Sequence, residues 1–276
     1  MFFLKRRSDR ERLVIISKIR LPTDPTNVNA IGLSRTNVIN SVENILRRLQ
    51  TNYIDLLQID GWDYSVHVKE IVRVLDELLM SGKVRNMGLC DFKGWQLQKM
   101  LDTCRVLNKH KFVCFQGEYN LLSRGCEMEV VDVCLNETLG FIAYSPFKYG
   151  FLTNEYERVQ SQYSSIQIQP QEGTRLEATS GNVSNLSSMG EPFEIMKSNP
   201  AFRPLLNKIQ EIAVRHNLPL ESIALRWVLQ KEFVSTVVLG VDTVEELECN
   251  MKVLTDFQLT EQEVQEEINK IIILIV

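Results

Sequence analysis

Apolar residues follow two alternating patterns along the chain. Short continuous apolar runs, typical of strands buried in a parallel sheet, lie at Leu13–Ser17, Ile54–Ile59, Val84–Leu89, Phe112–Gln116, Phe141–Ser145 and Val234–Leu239. Apolar residues with a helical period lie between and after them, at Asn37–Gln50, Val68–Ser81, Trp95–Cys104, Glu127–Asn136, Ala201–His216, Leu220–Gln230, Val244–Lys252 and Glu261–Ile275. This order predicts βα units around a parallel sheet.

Two architectures agree with this order, an open doubly wound sheet and a (β/α)8 barrel. The first βα connection lacks the GxGxxG pattern of dinucleotide-binding doubly wound sheets, which favours the barrel. The six predicted strands are fewer than the eight of a closed barrel. We therefore expect one domain over residues 1–276, an incomplete α/β barrel with a long polar surface loop over residues 153–199.

Composition narrows the classes of function. The net charge of −4 provides no basic excess for binding nucleic-acid phosphates. The longest aliphatic run, Ile271–Val276, is too short for a membrane span, and the first residues do not have the pattern of a secretory signal. The six cysteines form no CxxC pair, so we expect reduced, buried cysteines in a cytoplasmic protein without a metal site.

Several segments, in order along almost the whole chain, carry a family resemblance. They are Ile31–Val38, Ser41–Asp63, Ser81–Phe92, Gln116–Arg124, Ile142–Phe147 and Val238–Asn250. Together they resemble the aldo-keto reductase family. The resemblance implies a (β/α)8 TIM barrel that binds NADP(H) at the C-terminal ends of its strands and reduces aldehydes or ketones. Aligned with the family, the chain begins at the third strand, so we expect about six of the eight βα units.

The resemblance also implies catalytic residues. Family members act on the carbonyl with a tyrosine as general acid, an aspartate, a lysine and a histidine. Lys18 matches the lysine, and Asp60 stands at the histidine position in Gln-Ile-Asp-Gly-Trp. The tyrosine and the aspartate belong to the two units expected to be absent. Without a functional role, Lys18 is a solvated lysine at a strand end and Asp60 caps a nearby loop.

Losing a positioned general acid costs on the order of 10²–10⁴ in rate. A carboxylate at position 60 also opposes an alkoxide that develops on the substrate. We therefore expect little or no turnover.

Cofactor contacts are implied in the same way. Gln116 and the pair Cys90 and Asp91 match contacts to the nicotinamide carboxamide, and Tyr144 matches the ring that stacks on the nicotinamide. The remaining matched residues are Ser145, Pro146 and Phe147 beside the pyrophosphate, and Gly240, Asp242, Glu246 and Asn250 near the adenosine and its 2′-phosphate.

Three acidic residues stand where a phosphate surface needs neutral or positive groups: Glu155, Asp242 and Glu246. Their charges lower the expected affinity for NADP(H). Arg175 is either a compensating cation or a solvent-facing arginine.

Three functions remain open. The first is an aldo-keto reductase-like protein that binds NADP(H) with little turnover. The second is an active carbonyl reductase whose N-terminal part is not in this sequence. The third is a non-catalytic binding or regulatory subunit. In each case the strands at Leu13 and Val234 lack their usual neighbours, so we expect self-association through open strand edges.

Overall fold

The computed structural model describes residues 10–22, 24, 26–153, 202–241, 243–256 and 258–272. These residues form two compact units. The first is drawn from Met1–Gly117 and Cys126–Ile142, and the second from Glu118–Gly125 and Ala143–Val276. The predicted surface loop lies outside the described residues except for Thr153.

Strands and helices alternate as the sequence predicts. The strands are β1 (Ile16–Ile19), β2 (Ile54–Asp60), β3 (Val84–Cys90), β4 (Cys114–Glu118), β5 (Gly140–Tyr144) and β6 (Val234–Val238), and their order in the sheet follows the chain. The helices are α1 (Arg35–Leu49), α2 (Val68–Met80), α3 (Gly94–Val106), α4 (Val130–Glu137), α5 (Phe202–His216), α6 (Leu220–Leu229) and α7 (Val244–Asp256). Six strands in the described part of the chain agree with the expected incomplete barrel.

Helix α1 shows how local sequence sets these boundaries. The Ser34 side chain accepts a hydrogen bond from the amide of Asn37 and caps the first turn. Val38, Val42 and Leu46 recur on one face and are buried. The helix ends at Leu49, and the capping residue Gln50 adopts a left-handed conformation with φ of 55°.

Strand β1 differs from the predicted strand in both position and burial. It begins at Ile16 rather than Leu13, and Leu13, Val14 and Ile16 are exposed. The apolar run predicts a strand buried on both faces, but among the described residues β1 is an edge strand that pairs with β2. Burial depends on neighbouring elements, and a local run cannot report them.

Three other elements differ from the prediction in detail. Strand β4 begins two residues after the predicted Phe112. The predicted helix over 127–136 is divided into a 3₁₀ turn, Gly125–Met128, and α4. The closing helix is π-helical over Glu263–Asn269 and becomes α-helical at Lys270–Ile272, while residues 273–276 lie outside the described part.

The strand register places polar side chains on one face of the first unit's sheet. Lys18 is opposite Gln58 in the β1–β2 pairing. Asp60 is opposite Cys90, and Cys90 is opposite Gln116, in the next two parallel pairings. Because side chains alternate along a strand, these five residues share a face. Asp60 and Cys90 are the last residues of β2 and β3, and Gln116 lies in β4.

Two further expectations concern cysteines and membranes. All six cysteines are free, and four of them are buried, while Cys126 and Cys249 are half-buried. No helix in the described ranges has the length and hydropathy that a membrane span needs.

Candidate active site

Lys18 is the cation at the centre of the polar face. Its Nζ donates a hydrogen bond to Cys90 Sγ at 2.9 Å and lies 3.8 Å from Asp60 Oδ2. Burial opposes the charge, but the hydrogen bond to Cys90 and the nearby carboxylates of Asp60 and Asp91 raise the pKa of Lys18 overall. The side chain is therefore a charged ammonium at neutral pH.

Cys90 connects Lys18 to the next strand. The thiol lies 3.2 Å from Asp91 Oδ2 and 3.6 Å from Gln116 Oε1, so its S–H can donate to either oxygen. Burial and the Asp91 charge raise the pKa of Cys90 far above its ordinary value, although Lys18 acts in the opposite direction. Cys90 is therefore a neutral thiol, a hydrogen-bonding link rather than a nucleophile.

Asp60, Cys90 and Asp91 bring their ligating atoms within 4.8 Å of one another. Two carboxylates and a sulfur form an environment that favours a cation. The Lys18 ammonium lies beside two members of this group and supplies that positive charge. The arrangement stabilises a protonated lysine at the end of the sheet.

Gln58 is a buried polar residue to which the sequence analysis assigned no role. Its side chain is fully buried, its Nε2 lies 3.9 Å from Cys114 Sγ, and its Oε1 has no hydrogen-bond partner among the described residues. The available signal was a glutamine between the apolar residues Leu57 and Ile59 of β2. A Cβ on neighbouring Gly88 would lie 2.7 Å from Cys114 Sγ, so this part of the face is closely packed.

Arg20 closes the end of β1. It has a φ of 104°, which is strained for a residue with a Cβ, and its Nε donates to the carbonyl of Asp60. Its guanidinium covers Gly61, where an added Cβ would lie 2.8 Å from Arg20 Nη2. The glycine therefore permits the close approach that holds Arg20 beside the residue at position 60.

Aromatic side chains follow the ends of β2 and β3. The Trp62 ring packs against Tyr64, Phe92 and Trp95, with centroids 6.3, 5.7 and 5.4 Å away. Phe92 is buried, whereas Tyr64 and Trp95 are exposed. Trp62 is the centre of an aromatic cluster two residues beyond Asp60.

The second unit holds the other predicted cofactor residues. Tyr144 ends β5, and its carbonyl accepts from the Tyr119 amide at 3.2 Å. Ser145, Pro146 and Phe147 follow as a turn, and the Ser145 carbonyl accepts from Asn120 Nδ2 at 2.9 Å. The predicted pyrophosphate segment is therefore a turn whose backbone is bonded to the segment beginning at Glu118.

The predicted adenosine-binding residues lie around the start of α7. Gly240 is exposed after β6, and exposed Glu246 lies in the first turn of α7, where its amide donates to Thr243 Oγ1 at 3.1 Å. Asn250 is buried on the same helix. Asp242, Glu155 and Arg175 lie outside the described residues.

The sequence model of the aldo/keto reductase family matches residues 2–273. The chain belongs to that family. Aldo/keto reductases adopt the TIM-barrel fold, so the alternation of strands and helices described above is the family's architecture.

Curated relatives extend the comparison. The chain is similar to a putative aryl-alcohol dehydrogenase of Schizosaccharomyces pombe, 28% identical over 90% of this chain and 68% of that protein. A norsolorinic acid reductase of Emericella nidulans is 29% identical over 94% of this chain and 61% of its own length. An aldo-keto reductase of Fusarium vanettenii is 32% identical over 80% of this chain and 54% of that protein. The chain thus spans between about half and two thirds of these relatives.

Proposed function

We propose that this chain binds NADP(H) and, as the 276-residue polypeptide, reduces aldehydes or ketones slowly or not at all. The observation that carries the proposal is the carboxylate of Asp60, 3.8 Å from the Lys18 ammonium, at the position where the family resemblance places a histidine. The lysine is retained while the neutral polarising group beside it is replaced by an acid.

The polar face has the hydrogen-bonding chemistry for a nicotinamide carboxamide. The Gln116 amide offers a donor and an acceptor, while an ionised Asp91 only accepts. On the second unit, Tyr144 offers an aromatic face and Ser145 begins the turn that would bear the pyrophosphate. When bound, NADPH supplies a hydride for a carbonyl carbon.

Asp60 is one reason for slow turnover, in addition to the absence of the family's general acid. An acceptor-only group cannot donate a hydrogen bond to a carbonyl oxygen, and its charge opposes the negative charge that develops there. The Lys18 ammonium offsets part of that charge, but it is already engaged with Cys90. The residues on this face orient and hold a nicotinamide better than they polarise a carbonyl.

Full carbonyl reduction is the second candidate. The charged Lys18, close to the carboxylates of Asp60 and Asp91, favours it, because a fixed ammonium can lower the pKa of a neighbouring proton donor. The relatives named as reductases are also longer than this chain. Six free cysteines agree with a reducing compartment, so we propose the cytoplasm for either function.

Fluorescence titration with NADPH tests the first half of the proposal. Trp62 and Trp95 lie in one cluster beyond the end of β2, so quenching of tryptophan emission reports occupancy near this face. We expect saturable binding by the wild type and an increase in Kd of about tenfold for Gln116→Met, which removes the amide but keeps the side-chain length. No quenching at any NADPH concentration would contradict the proposal.

NADPH oxidation with benzaldehyde tests the second half. The wild type should oxidise NADPH hardly faster than buffer, far below the 1–10³ s⁻¹ or so that is usual for enzymes. Asp60→Asn removes only the charge, and Asp60→His restores an imidazole, so we expect the rate to rise in the order Asp, Asn, His. Wild-type turnover within the usual enzymatic range would support the second candidate instead.

A further inference from the structure

A strained turn follows β5 in the second unit. Ser145, Lys148, Tyr149 and Gly150 have φ values of 54°, 45°, 56° and 90°. Only glycine adopts this left-handed region without steric cost, and three of these four residues carry a side chain. The turn therefore depends on contacts that hold it in place.

Backbone hydrogen bonds make the turn compact. The Lys148 amide donates to the Ser145 carbonyl at 3.0 Å, and the amides of Gly150 and Leu152 both donate to the Phe147 carbonyl at 3.1 Å. These bonds fix the internal shape of the turn but do not attach it to the rest of the unit.

Asn120 provides the first attachment. Its side chain is fully buried, and its Nδ2 donates to the Ser145 carbonyl at 2.9 Å. Its Oδ1 accepts from the amides of Leu122 and Ser123 at 2.9 and 2.8 Å. The start of the strained turn is therefore bonded to the segment after β4.

Lys148 provides the second attachment, at the far end of the turn. Its Nζ donates to Glu118 Oε1 at 2.7 Å and to Ser123 Oγ at 2.8 Å. The Lys148 and Glu118 side chains are 13% and 26% exposed, so the pair is partly shielded from water. Removing one partner of such a pair leaves the other charge poorly compensated.

We propose that Lys148 is a positioning residue for the pyrophosphate of NADP(H). Held by Glu118 and Ser123, it keeps residues 145–150 in the left-handed turn. The inference rests on the proposed function, because the family resemblance places the pyrophosphate beside Ser145–Phe147. It adds a residue that acts on the cofactor through the turn rather than by touching it.

The charge of Glu118 separates this role from direct phosphate contact. If Lys148 itself contacted the phosphate, the Glu118 carboxylate would compete with the ligand, and Glu118→Gln would tighten NADPH binding. If Lys148 acts through the turn, Glu118→Gln weakens the attachment and therefore weakens binding. The two roles predict opposite signs for a change of one side chain.

The experiment measures Kd for NADPH and NADH by tryptophan quenching in the full chain. We expect about a tenfold increase for Lys148→Met, several-fold for Glu118→Gln, and little change for Lys148→Arg, which keeps the charge and can donate to Glu118. The double variant should be no weaker than Lys148→Met alone. Both cofactors should respond equally, because they share the pyrophosphate. Lys270→Met is the matched control, since it removes a positive charge from an exposed pair on the same unit.

Amide hydrogen exchange measures how stably the turn is held in the protein without cofactor. Lys148→Met should accelerate exchange at the amides of Gly150 and Leu152, and Lys270→Met should not. Unchanged exchange, tighter binding by Glu118→Gln, or wild-type affinity in Lys148→Met would each overturn the proposal. If the wild type bound no NADPH, the proposed function and the pyrophosphate role would both fail, whereas faster exchange in Lys148→Met would still show that Lys148 holds the turn.

Discussion

The two strands that carry Lys18 and Asp60 differ in how deeply they are buried. In β2, Leu57 and Ile59 are each 1% exposed. In and beside β1, Ile16 and Val14 are 41% and 75% exposed. The candidate lysine therefore lies on an exposed edge strand, whereas Asp60 lies on the neighbouring interior strand.

This difference shows what fixes the site. An edge strand pairs on one side and can move more easily than an interior strand. Lys18 on the edge strand is held to the interior strands by its contacts to Cys90 on β3 and Asp60 on β2. The interior strands define the face, and the polar contacts attach the edge strand's ammonium to it.

Truncating one side chain in β2 and one just before β1 gives the largest contrast. We expect Leu57→Ala to lower the free energy of unfolding by about 2–5 kcal/mol, because it removes buried methyl groups and leaves a cavity. Val14→Ala should change it by less than about 0.5 kcal/mol, because Val14 is largely in water. Urea unfolding measures both, and equal losses would show that the segment just before β1 is as well packed as β2.

The sequence predicts the burial of interior elements better than that of edge strands. The period of Val38, Val42 and Leu46 predicts the buried face of α1, because the helix itself places these residues together. The apolar run at Leu13 predicts burial that β1 does not have, because burial requires a neighbouring strand.

The candidate site shows the same limit. Lys18 and Asp60 are identified from motif resemblance, but the 2.9 Å contact between Lys18 and Cys90 depends on strand register. The left-handed turn at Lys148 has no sequence signal, because lysine and tyrosine are not the residues that usually occupy that region. Both features result from contacts between residues that are distant in sequence.

Asp76 tests whether the interior of the first unit is also fixed by polar contacts. This buried residue of α2 accepts from Lys109 Nζ at 2.8 Å and from His110 Nδ1 at 2.7 Å. Burial acts to raise its pKa, but the hydrogen bonds from Lys109 and His110 lower the pKa to about 2. We expect Asp76→Asn to cost about 2 kcal/mol at pH 7.

The pH dependence of that loss follows from the sign of the shift. Because the folded-state pKa is below the unfolded value, the stabilisation is complete above pH 4 or so and is lost as the pH falls towards about 2. Urea unfolding of wild type and Asp76→Asn should therefore converge between these pH values. A difference that stayed constant down to pH 2 would mean that the charge of Asp76 contributes nothing.

The exposed edge itself is tested by association. We expect the chain to pair with a second copy through β1, because an exposed apolar edge offers both backbone groups and side chains. Val14→Lys should weaken dimerisation by about tenfold, since edge lysines disfavour strand pairing. Val106→Lys is the control, because Val106 is 77% exposed but lies on helix α3. Light scattering over a concentration series would contradict the expectation if both variants associated equally.

The smallest expected effect concerns the hydrogen bond between Lys18 on β1 and Cys90 on β3. A serine at position 90 can still accept the hydrogen bond from Lys18 and donate to Asp91 or Gln116. We therefore expect Cys90→Ser to change the free energy of unfolding by less than about 1 kcal/mol and to leave NADPH affinity within about threefold. Cys90→Ala removes the acceptor and should cost more in both measurements. If alanine and serine behaved alike, Asp60 and Asp91 alone would hold the ammonium, and the edge strand would need no bond to β3.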